Sequence, residues 1–295
     1  AGGKGVNVSR ALLNFGIRTT ATGIIGNNGK EGYFNLLDAD GIDHDFYITG
    51  GTVRTNITIV SPETGTETHL REKGPLIHES ALIEFSEKLL GLKVKYNNPA
   101  NVKSDKDNTA FALVLFVFAG SLPNGLSKHT YRNLIETVKG WNCTAILDAS
   151  GEAFKEGISA APHFIKPNVN EVEDALGFLP LSNMDFIKAV ETFHSMGVER
   201  VMISRGKDGI LFSSGNGILE AKLYIEHPIN TVGSGDCAVA GGVVGIIQNL
   251  NDEDTARLAC AMGGANTLIS GAGRFSKEKA RELLACVKLN YLKTR

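Results

Sequence analysis

The sequence has no apolar run long enough to span a bilayer; its most apolar stretch, residues 111–119, has only the length of a strand. It has no CxxC pair. Its four cysteines, Cys143, Cys237, Cys260 and Cys286, are scattered, which sets aside a disulfide framework and a zinc site and suits reduced thiols in a cytoplasm. It has little net charge: 30 Lys and Arg against 32 Asp and Glu leave −2, so no electrostatic footprint points to nucleic acid or an anionic membrane. No period of 20–50 residues repeats, no internal linker divides the chain, and no GxxxxGK[ST] loop of the Walker A type occurs. There is no initiator Met and no signal peptide either. The chain opens on a glycine turn that calls for a strand before it, so an upstream piece is expected.

What is present is ordinary for a globular protein: 295 residues, 42 % hydrophobic and 21 % charged. That length suits one large α/β domain or two small ones. The 34 glycines fit the many tight turns of a chain in which strands and helices alternate. Apolar spacing predicts a helix over 6–15 with Gly16 as its C-cap, a strand over 20–25 and a helix over 29–39. Short strands at 46–48, 53–60 and 66–70, the last two joined by a turn at 61–65, suggest a small antiparallel patch, a candidate lid over about 46–72. Arg54, Arg71 and Lys73 concentrate there; protection of strand edges is the plain reading of such charges.

A helix is expected at 79–90, a polar loop at 93–108 and a buried strand at 111–119, followed by Gly120-Ser121-Leu122-Pro123 where open α/β sheets place ligands. Further strands are read at 144–147, 164–166, 201–204, 210–212 and 219–225, with helices between them, and helices at 235–247, 252–270 and 277–287 close the chain. The alternation predicts an α/β sandwich with a mainly parallel central sheet and helices on both faces.

The chain is organised around Asn230-Thr-Val-Gly-Ser-Gly-Asp236. Gly233, Ser234 and Gly235 are small enough for a turn whose N–H groups point one way, and Val239, Val243 and Ile246 mark a helix after it. Such a loop at a helix N-terminus suits a phosphate. An isolated Asp at a helix start is usually a cap. Inside an anion-binding turn, Asp236 can instead be the base that orients an attacking hydroxyl in phosphoryl transfer. Lys4, near the start of the first helix, reads equally as a solvated lysine or as an anion contact.

Three stretches together resemble the PfkB-type, ribokinase-like carbohydrate kinases: Gly2-Gly3-Lys4-Gly5-Val6-Asn7-Val8-Ser9, Lys166-Pro167-Asn168-x-x-Glu171, and the turn ending at Asp236. Ser204-x-Gly206-x-x-Gly209 adds a weaker fourth. GGKGxNVSR at 2–10, with AGSLPNG at 119–125 and LDASGEA at 147–153, is similar to the 1-phosphofructokinase and tagatose-6-phosphate kinase branch. The resemblance implies a ribokinase-like three-layer α/β/α sandwich in one domain over 1–295. It implies ATP-dependent phosphorylation of a ketose phosphate to a bisphosphate. Asp236 would be the base, and Gly233, Ser234 and Gly235 the anion hole. Gly3, Lys4, Asn7 and Arg54 would contact the sugar phosphate. Lys166, Asn168, Ser204, Gly206, Gly209, Gly235 and Gly264 would hold ATP. Asn168 and Glu171 would organise Mg²⁺ through water. The resemblance leaves open a monovalent cation and a homodimer through the lid.

Arg205 stands where the family often has Leu, Cys237 where it often has Ser, and Gly242 where a bulky residue is usual; these departures bear on nucleotide preference. Two alternatives stay within the fold: a kinase of another sugar or sugar-like alcohol, and a weakly catalytic sugar-phosphate-binding protein. A third lies outside it. Gly233-x-Gly235-x-x-Ala238 loosely fits a dinucleotide fingerprint with Asp252 and Asp254 beyond, but mainly helices are expected to follow where that fingerprint needs a strand.

Overall fold

The computed structural model of the chain describes residues 1–61, 66–97 and 113–294. The chain opens with α1 (Lys4–Asn14), β1 (Thr20–Ala21), β2 (Ile24–Asn28), α2 (Lys30–Ala39), β3 (Asp43–His44) and β4 (Tyr47–Thr52). The hairpin strands β5 (Asn56–Ser61) and β6 (Thr66–Arg71) precede α3 (Glu79–Asn97) and β7 (Leu115–Ala119). Next come α4 (Thr130–Gly140), β8 (Thr144–Asp148), α5 (Gly151–Ile158), β9 (Phe164–Ile165), α6 (Val169–Leu176), α7 (Asn183–Ser195) and β10 (Arg200–Ser204). Beyond a 3-10 turn at Gly206–Asp208 lie β11 (Ile210–Ser213), β12 (Ile218–Lys222), α8 (Ser234–Ile247), α9 (Asp252–Asn266), α10 (Lys277–Leu284) and β13 (Lys288–Lys293).

The main sheet runs β13-β12-β11-β10-β9-β8-β7. Strands β7, β8, β9, β10 and β12 point one way, β11 and β13 the other. The three layers follow from the period-two alternation of strand side chains. Ala145, Leu147, Val201, Ile203 and Leu211 face one core, with Phe85 and Leu89 of α3, Ile135 of α4, Phe154 of α5 and Phe193 of α7. Their neighbours Ile146, Met202, Ile210 and Phe212 face the other core, with Leu12 of α1, Val239 and Val243 of α8 and Met262 of α9.

Helix α8 lies deep in that second core, and its glycines let it sit there. A Cβ on Gly242 would stand 2.4 Å from the Phe164 ring, and one on Gly241 would stand 2.5 Å from the Ala259 backbone. At Gly242 only glycine fits, because β9 brings Phe164 against the helix. The parallel strands end at one rim, so Asp148, Lys166 and Ser204 arrive together beside the N-terminus of α8.

Several expectations are corrected. The strand read over 20–25 is two strands, β1 and β2, which pair in parallel with β3 and β4. The segment 46–48 therefore belongs to β4, beside β2, and the antiparallel patch is the β5–β6 hairpin alone. Gly26 permits this: a Cβ there would lie 2.6 Å from the Gly51 carbonyl oxygen. Helix α3 continues to Asn97, past the expected start of a loop at 93, because buried Leu92 extends its apolar face and Tyr96 hydroxyl bonds Thr20. The remainder of that loop, residues 111–112 of the strand read at 111–119, and 62–65 of the hairpin turn lie outside the described residues.

The chain closes on β13, not on helices. Only Leu289 and Leu292 turn inward along this edge strand, so its lysine-rich sequence hides the period. Because β13 runs antiparallel to β12, the Gly233 turn does not open a parallel βαβ unit, and the dinucleotide reading fails. Among the described residues no helix is long and apolar enough to cross a membrane, and all four cysteines are free.

Candidate active site

Helix α8 starts abruptly. Gly233, its N-cap, has φ +88, and an added Cβ would stand 2.8 Å from Ala272 Cα, so both conformation and space demand glycine. Gly233 offers no capping side chain; the Ser234 N–H donates to the Thr231 carbonyl at 3.3 Å, and the N–H groups of Gly235 and Asp236 that follow it keep their capacity for an outside acceptor. Asp236, in the first turn, is not the cap. Its carboxylate is held from another helix, where Asn7 Nδ2 of α1 donates to Asp236 Oδ2 at 2.8 Å. Asp236 is buried, and burial pushes its carboxyl up to about 6. The Asn7 donor opposes that rise, Asp148 adds to it, and Lys4 and Lys166 oppose it in turn.

Lys4 is the first residue of α1, and no acidic residue sits in that first turn. A cation at a helix N-terminus is unfavourable to the helix dipole, so the placement is offset from outside. Lys4 Nζ lies 3.2 Å from Asp148 Oδ1 at the end of β8. Burial by itself would lower the Lys4 ammonium's pKa; Asp148, Glu171 and Asp236 outweigh it, and the net shift is upward. Lys166 follows β9 and puts its Nζ 3.3 Å from the same Asp148 oxygen. Gly235 makes room for it, since a Cβ there would lie 3.3 Å from Lys166 Nζ. Asp148 has no exposure, and its second oxygen, Oδ2, has no hydrogen-bond partner among the described residues.

Asn168 and Glu171 form a capping box on α6. Glu171 N–H donates to Asn168 Oδ1 at 2.9 Å, and Asn168 N–H donates to Glu171 Oε2 at 2.8 Å. Burial raises the Glu171 carboxyl against the Asn168 N–H, Lys166 and Lys4. Ser204, at the end of β10, is joined to this segment by its N–H on the Pro167 carbonyl at 2.9 Å and by a bridge to Asn168. Gly206 and Gly209 then carry the 3-10 turn at φ +59 and +80, and Gly209 passes so close to Ala221 that a Cβ would lie 2.1 Å from its carbonyl oxygen.

The remaining expected residues sit at the margins. Gly3, the N-cap of α1 at φ 119, accepts the Asn7 N–H at 2.9 Å. Arg54 is exposed, just before β5, with Nη1 within 3.5 Å of Ser121 Oγ in the turn after β7. Gly264 is a packing glycine on α9, where a Cβ would stand 2.4 Å from Leu223 Cδ2. Asn7, expected as a substrate contact, is buried and engages both ends of its amide inside the protein, on Asp236 and on Arg10.

Arg205 does not project freely beside the 3-10 turn. It folds back onto Glu220 at 2.6 Å and over the Phe186 ring at 5.3 Å. Cys237 is fully buried against Asn266, its thiol pushed up by burial and by Asp236, so it is inert. Two residues of the quoted motifs were given no role there: Asp148, in LDASGEA, and Arg10, which ends GGKGxNVSR. A carboxylate closing a buried strand at the ligand-binding rim was the available signal for Asp148; for Arg10 it was only its place at the end of GGKGxNVSR.

The comparisons with known proteins cover nearly the whole chain. A family model described as pfkB family carbohydrate kinase matches residues 1–280. The 1-phosphofructokinase of Bacillus subtilis (strain 168) is 29% identical over 291 residues, 99% of this chain and 88% of that protein. The tagatose-6-phosphate kinase of Staphylococcus epidermidis (strain RP62A) is 29% identical over 286 residues, 96% of this chain and 86% of that protein. Among solved structures, a putative phosphofructokinase from Staphylococcus aureus superposes with a TM-score of 0.80 at 26% identity, covering 100% of this chain and 89% of that one. Phosphofructokinase-2 of Escherichia coli, solved in complex with potassium, superposes with a TM-score of 0.84 at 23% identity, covering 96% and 87%.

Proposed function

Because this chain belongs to the PfkB family of carbohydrate kinases, we propose that it transfers the terminal phosphoryl group of ATP to a hydroxyl of a ketose phosphate. The substrate is of the fructose 1-phosphate or tagatose 6-phosphate type, and the product is a bisphosphate. The observation that carries this reading is the meeting of one buried carboxylate, Asp236, with two cations, Lys4 and Lys166, at the N-terminus of α8.

Asp236 takes the proton of the acceptor hydroxyl. Its pKa of about 6 leaves it ionised at neutral pH yet basic enough to accept a proton. The N–H groups of Gly233, Ser234 and Gly235 receive charge that develops on the transferred group. Lys4 and Lys166, oriented by Asp148, flank the same turn and supply the positive charge that phosphoryl transfer requires. Arg54 meets the substrate's own phosphate. Ser204, Gly206 and Gly209 carry the nucleotide, with Gly264 beside them.

The residues fit Mg²⁺ bound largely by water and phosphate. Among the described residues no cluster of three or more His, Cys, Asp or Glu forms a closed cage, while Glu171 keeps Oε1 outside its capping box and the buried Asp148 Oδ2 lacks a donor. Mg²⁺ is typically held by one or two carboxylates, waters and substrate phosphates. Asn168 and Glu171 would hold it through water, and when bound it would neutralise charge between the outer phosphates.

The β5–β6 hairpin serves as the lid of a single catalytic domain. Its exposed Ile57, Ile59 and Leu70 suit it to meet a second copy as well. An ADP-release assay tests the reading, using Mg-ATP, with and without potassium, against fructose 1-phosphate, tagatose 6-phosphate and the free ketoses. Turnover of a ketose phosphate above every free sugar is expected. Preference for a free ketose would replace the substrate class, and ADP release with no acceptor would overturn the reading.

A further inference from the structure

Asp236 is one end of a hydrogen-bonded chain that leaves the site. Asn7 Nδ2 donates to Asp236 Oδ2 at 2.8 Å, and Asn7 Oδ1 accepts from Arg10 Nη1 at 3.0 Å. Arg10 is 5 % exposed. Its Nε and Nη2 both donate to Asp40 Oδ2, at 3.1 and 2.8 Å, and it caps the carbonyls of Ala272 at 2.9 Å and Ala1 at 2.8 Å. Arg274 reaches the other Asp40 oxygen. Gly273, next to it, packs on Asn7 itself, where a Cβ would lie 2.6 Å from the Asn7 carbonyl oxygen.

We infer that Arg10 is a positioning residue for Asp236, acting through the Asn7 amide. A primary amide has a donor end and an acceptor end that can exchange by a half-turn. A guanidinium carries donors only. With Arg10 fixed by Asp40 and two carbonyls, Asn7 must turn Oδ1 toward it, and its NH₂ is thereby committed to Asp236. One oxygen of Asp236 is then occupied and the other, Oδ1, is left to receive the hydroxyl proton. Removing Arg10 frees the amide to turn over and set Oδ1 against the carboxylate, which repels it and favours the protonated, inactive form. The groups acting on Asp236 otherwise are Lys4 of α1, Asp148 of β8 and Lys166 after β9, none of which Arg10 contacts.

The inference rests on Asp236 being the kinase base, so the test separates the two. Wild type, Asp236→Asn, Arg10→Gln and Arg10→Lys are assayed with ATP and the preferred ketose phosphate from pH 5 to 9, with circular dichroism confirming the fold. Gln can accept as well as donate, so Arg10→Gln should lower kcat about 10- to 100-fold, as expected when a reacting group is misplaced. Its KM for ATP should stay within about twofold, and the acid limb of kcat/KM should move upward from the wild-type position. The sugar phosphate ionises in the same range, with a second pKa near 6, so the readout is the displacement between variant and wild type.

Should Arg10→Gln not fold, Arg10→Lys decides. Its single ammonium cannot serve Asp40 and Asn7 together, and an intermediate loss with the same upward displacement is expected. An unchanged pH profile and kcat in a folded Arg10 variant, with Asp236→Asn inactive, overturns the positioning role and leaves the base standing. Full activity in Asp236→Asn overturns both.

Discussion

Lys166 Nζ stands 3.3 Å from Asp148 Oδ1, both side chains are buried, and the same oxygen lies 3.2 Å from Lys4 Nζ. Two cations from separate elements are thus aimed at the turn of α8 by one carboxylate. Asp148→Asn would leave Lys166 buried beside Lys4 with its main counter-charge gone. Removing one member of a buried pair typically costs about 3–5 kcal/mol, and urea unfolding at pH 7 should show a loss of that order. Turnover should fall with it, since neither ammonium keeps its aim. A loss below about 1 kcal/mol would mean that the lysines find other partners and that Asp148 does not organise the site.

Asp236 couples activity to stability in opposite senses. Losing a positioned base costs about 10²–10⁴ in rate, so Asp236→Asn should be nearly inactive while it still binds ATP. The folded carboxyl titrates near 6, above its ordinary 3.8, chiefly because it is buried. A raised folded pKa means that Asp236 favours the folded state below about 3.8 and that this contribution is lost as pH rises through about 6. Above pH 6 the wild type therefore carries an ionised group that prefers the unfolded chain. Asp236→Asn should be more stable at pH 8 by up to roughly 3 kcal/mol, and the gain should vanish near pH 4. Thermal melts across that range decide it, and equal melting temperatures at pH 8 would contradict the origin assigned to the shift.

Much of this was legible in the sequence because turns and helix starts are local. The small residues of 233–235 and the apolar spacing behind them place α8 nearly to the residue, and the Asn168–Glu171 interval marks where α6 opens. What was not legible depends on contacts distant in sequence. Asn7 meets Asp236 from 229 residues away and Lys4 meets Asp148 from 144, and no periodicity encodes either pairing. Arg10 closes the GGKGxNVSR motif, but nothing local shows that Asp40 and the Ala272 carbonyl draw it inside. Edge strand β13 and the last turn of α3 were missed for the converse reason: their local polarity conceals an apolar side set by tertiary packing.

Glu171→Gln tests the metal assignment without dismantling α6. Glutamine can serve in a capping box as glutamate does, so the helix start should survive and the melting temperature should change little. What is lost is the charge beside Lys166 and Lys4. A carboxylate acting on Mg²⁺ through water orients the ion's ligands, and loss of such partners typically costs 10–100-fold in metal affinity or activity. The Mg²⁺ concentration for half-maximal rate should rise by about that factor, with the KM for the sugar phosphate nearly unmoved. An unchanged Mg²⁺ titration would remove Glu171 from the metal's surroundings.

The proposed choice of a phosphorylated substrate rests on Arg54. It lies outside the buried cluster, exposed before β5, with Nη1 within 3.5 Å of Ser121 Oγ. Gly120 next to Ser121 brings that turn against Lys4, since a Cβ on Gly120 would lie 3.9 Å from Lys4 Cβ. Arg54 is therefore linked through the Gly120-Ser121 turn to the neighbourhood of Lys4. A sugar phosphate carries close to two negative charges, and a planar guanidinium can meet two of its oxygens at once. Hydrogen bonds to charged groups are worth about 1.5–3 kcal/mol, so Arg54→Ala should raise the KM for the ketose phosphate about 10- to 100-fold, the lower end being expected for an exposed side chain. The KM for ATP should hold, as should the melting temperature, because Arg54 buries little. Steady-state kinetics with each substrate varied in turn measure both constants. A KM for the sugar phosphate within twofold of wild type, or a change confined to ATP, would place Arg54 outside the acceptor site and leave its charge to the plain role of guarding a strand edge.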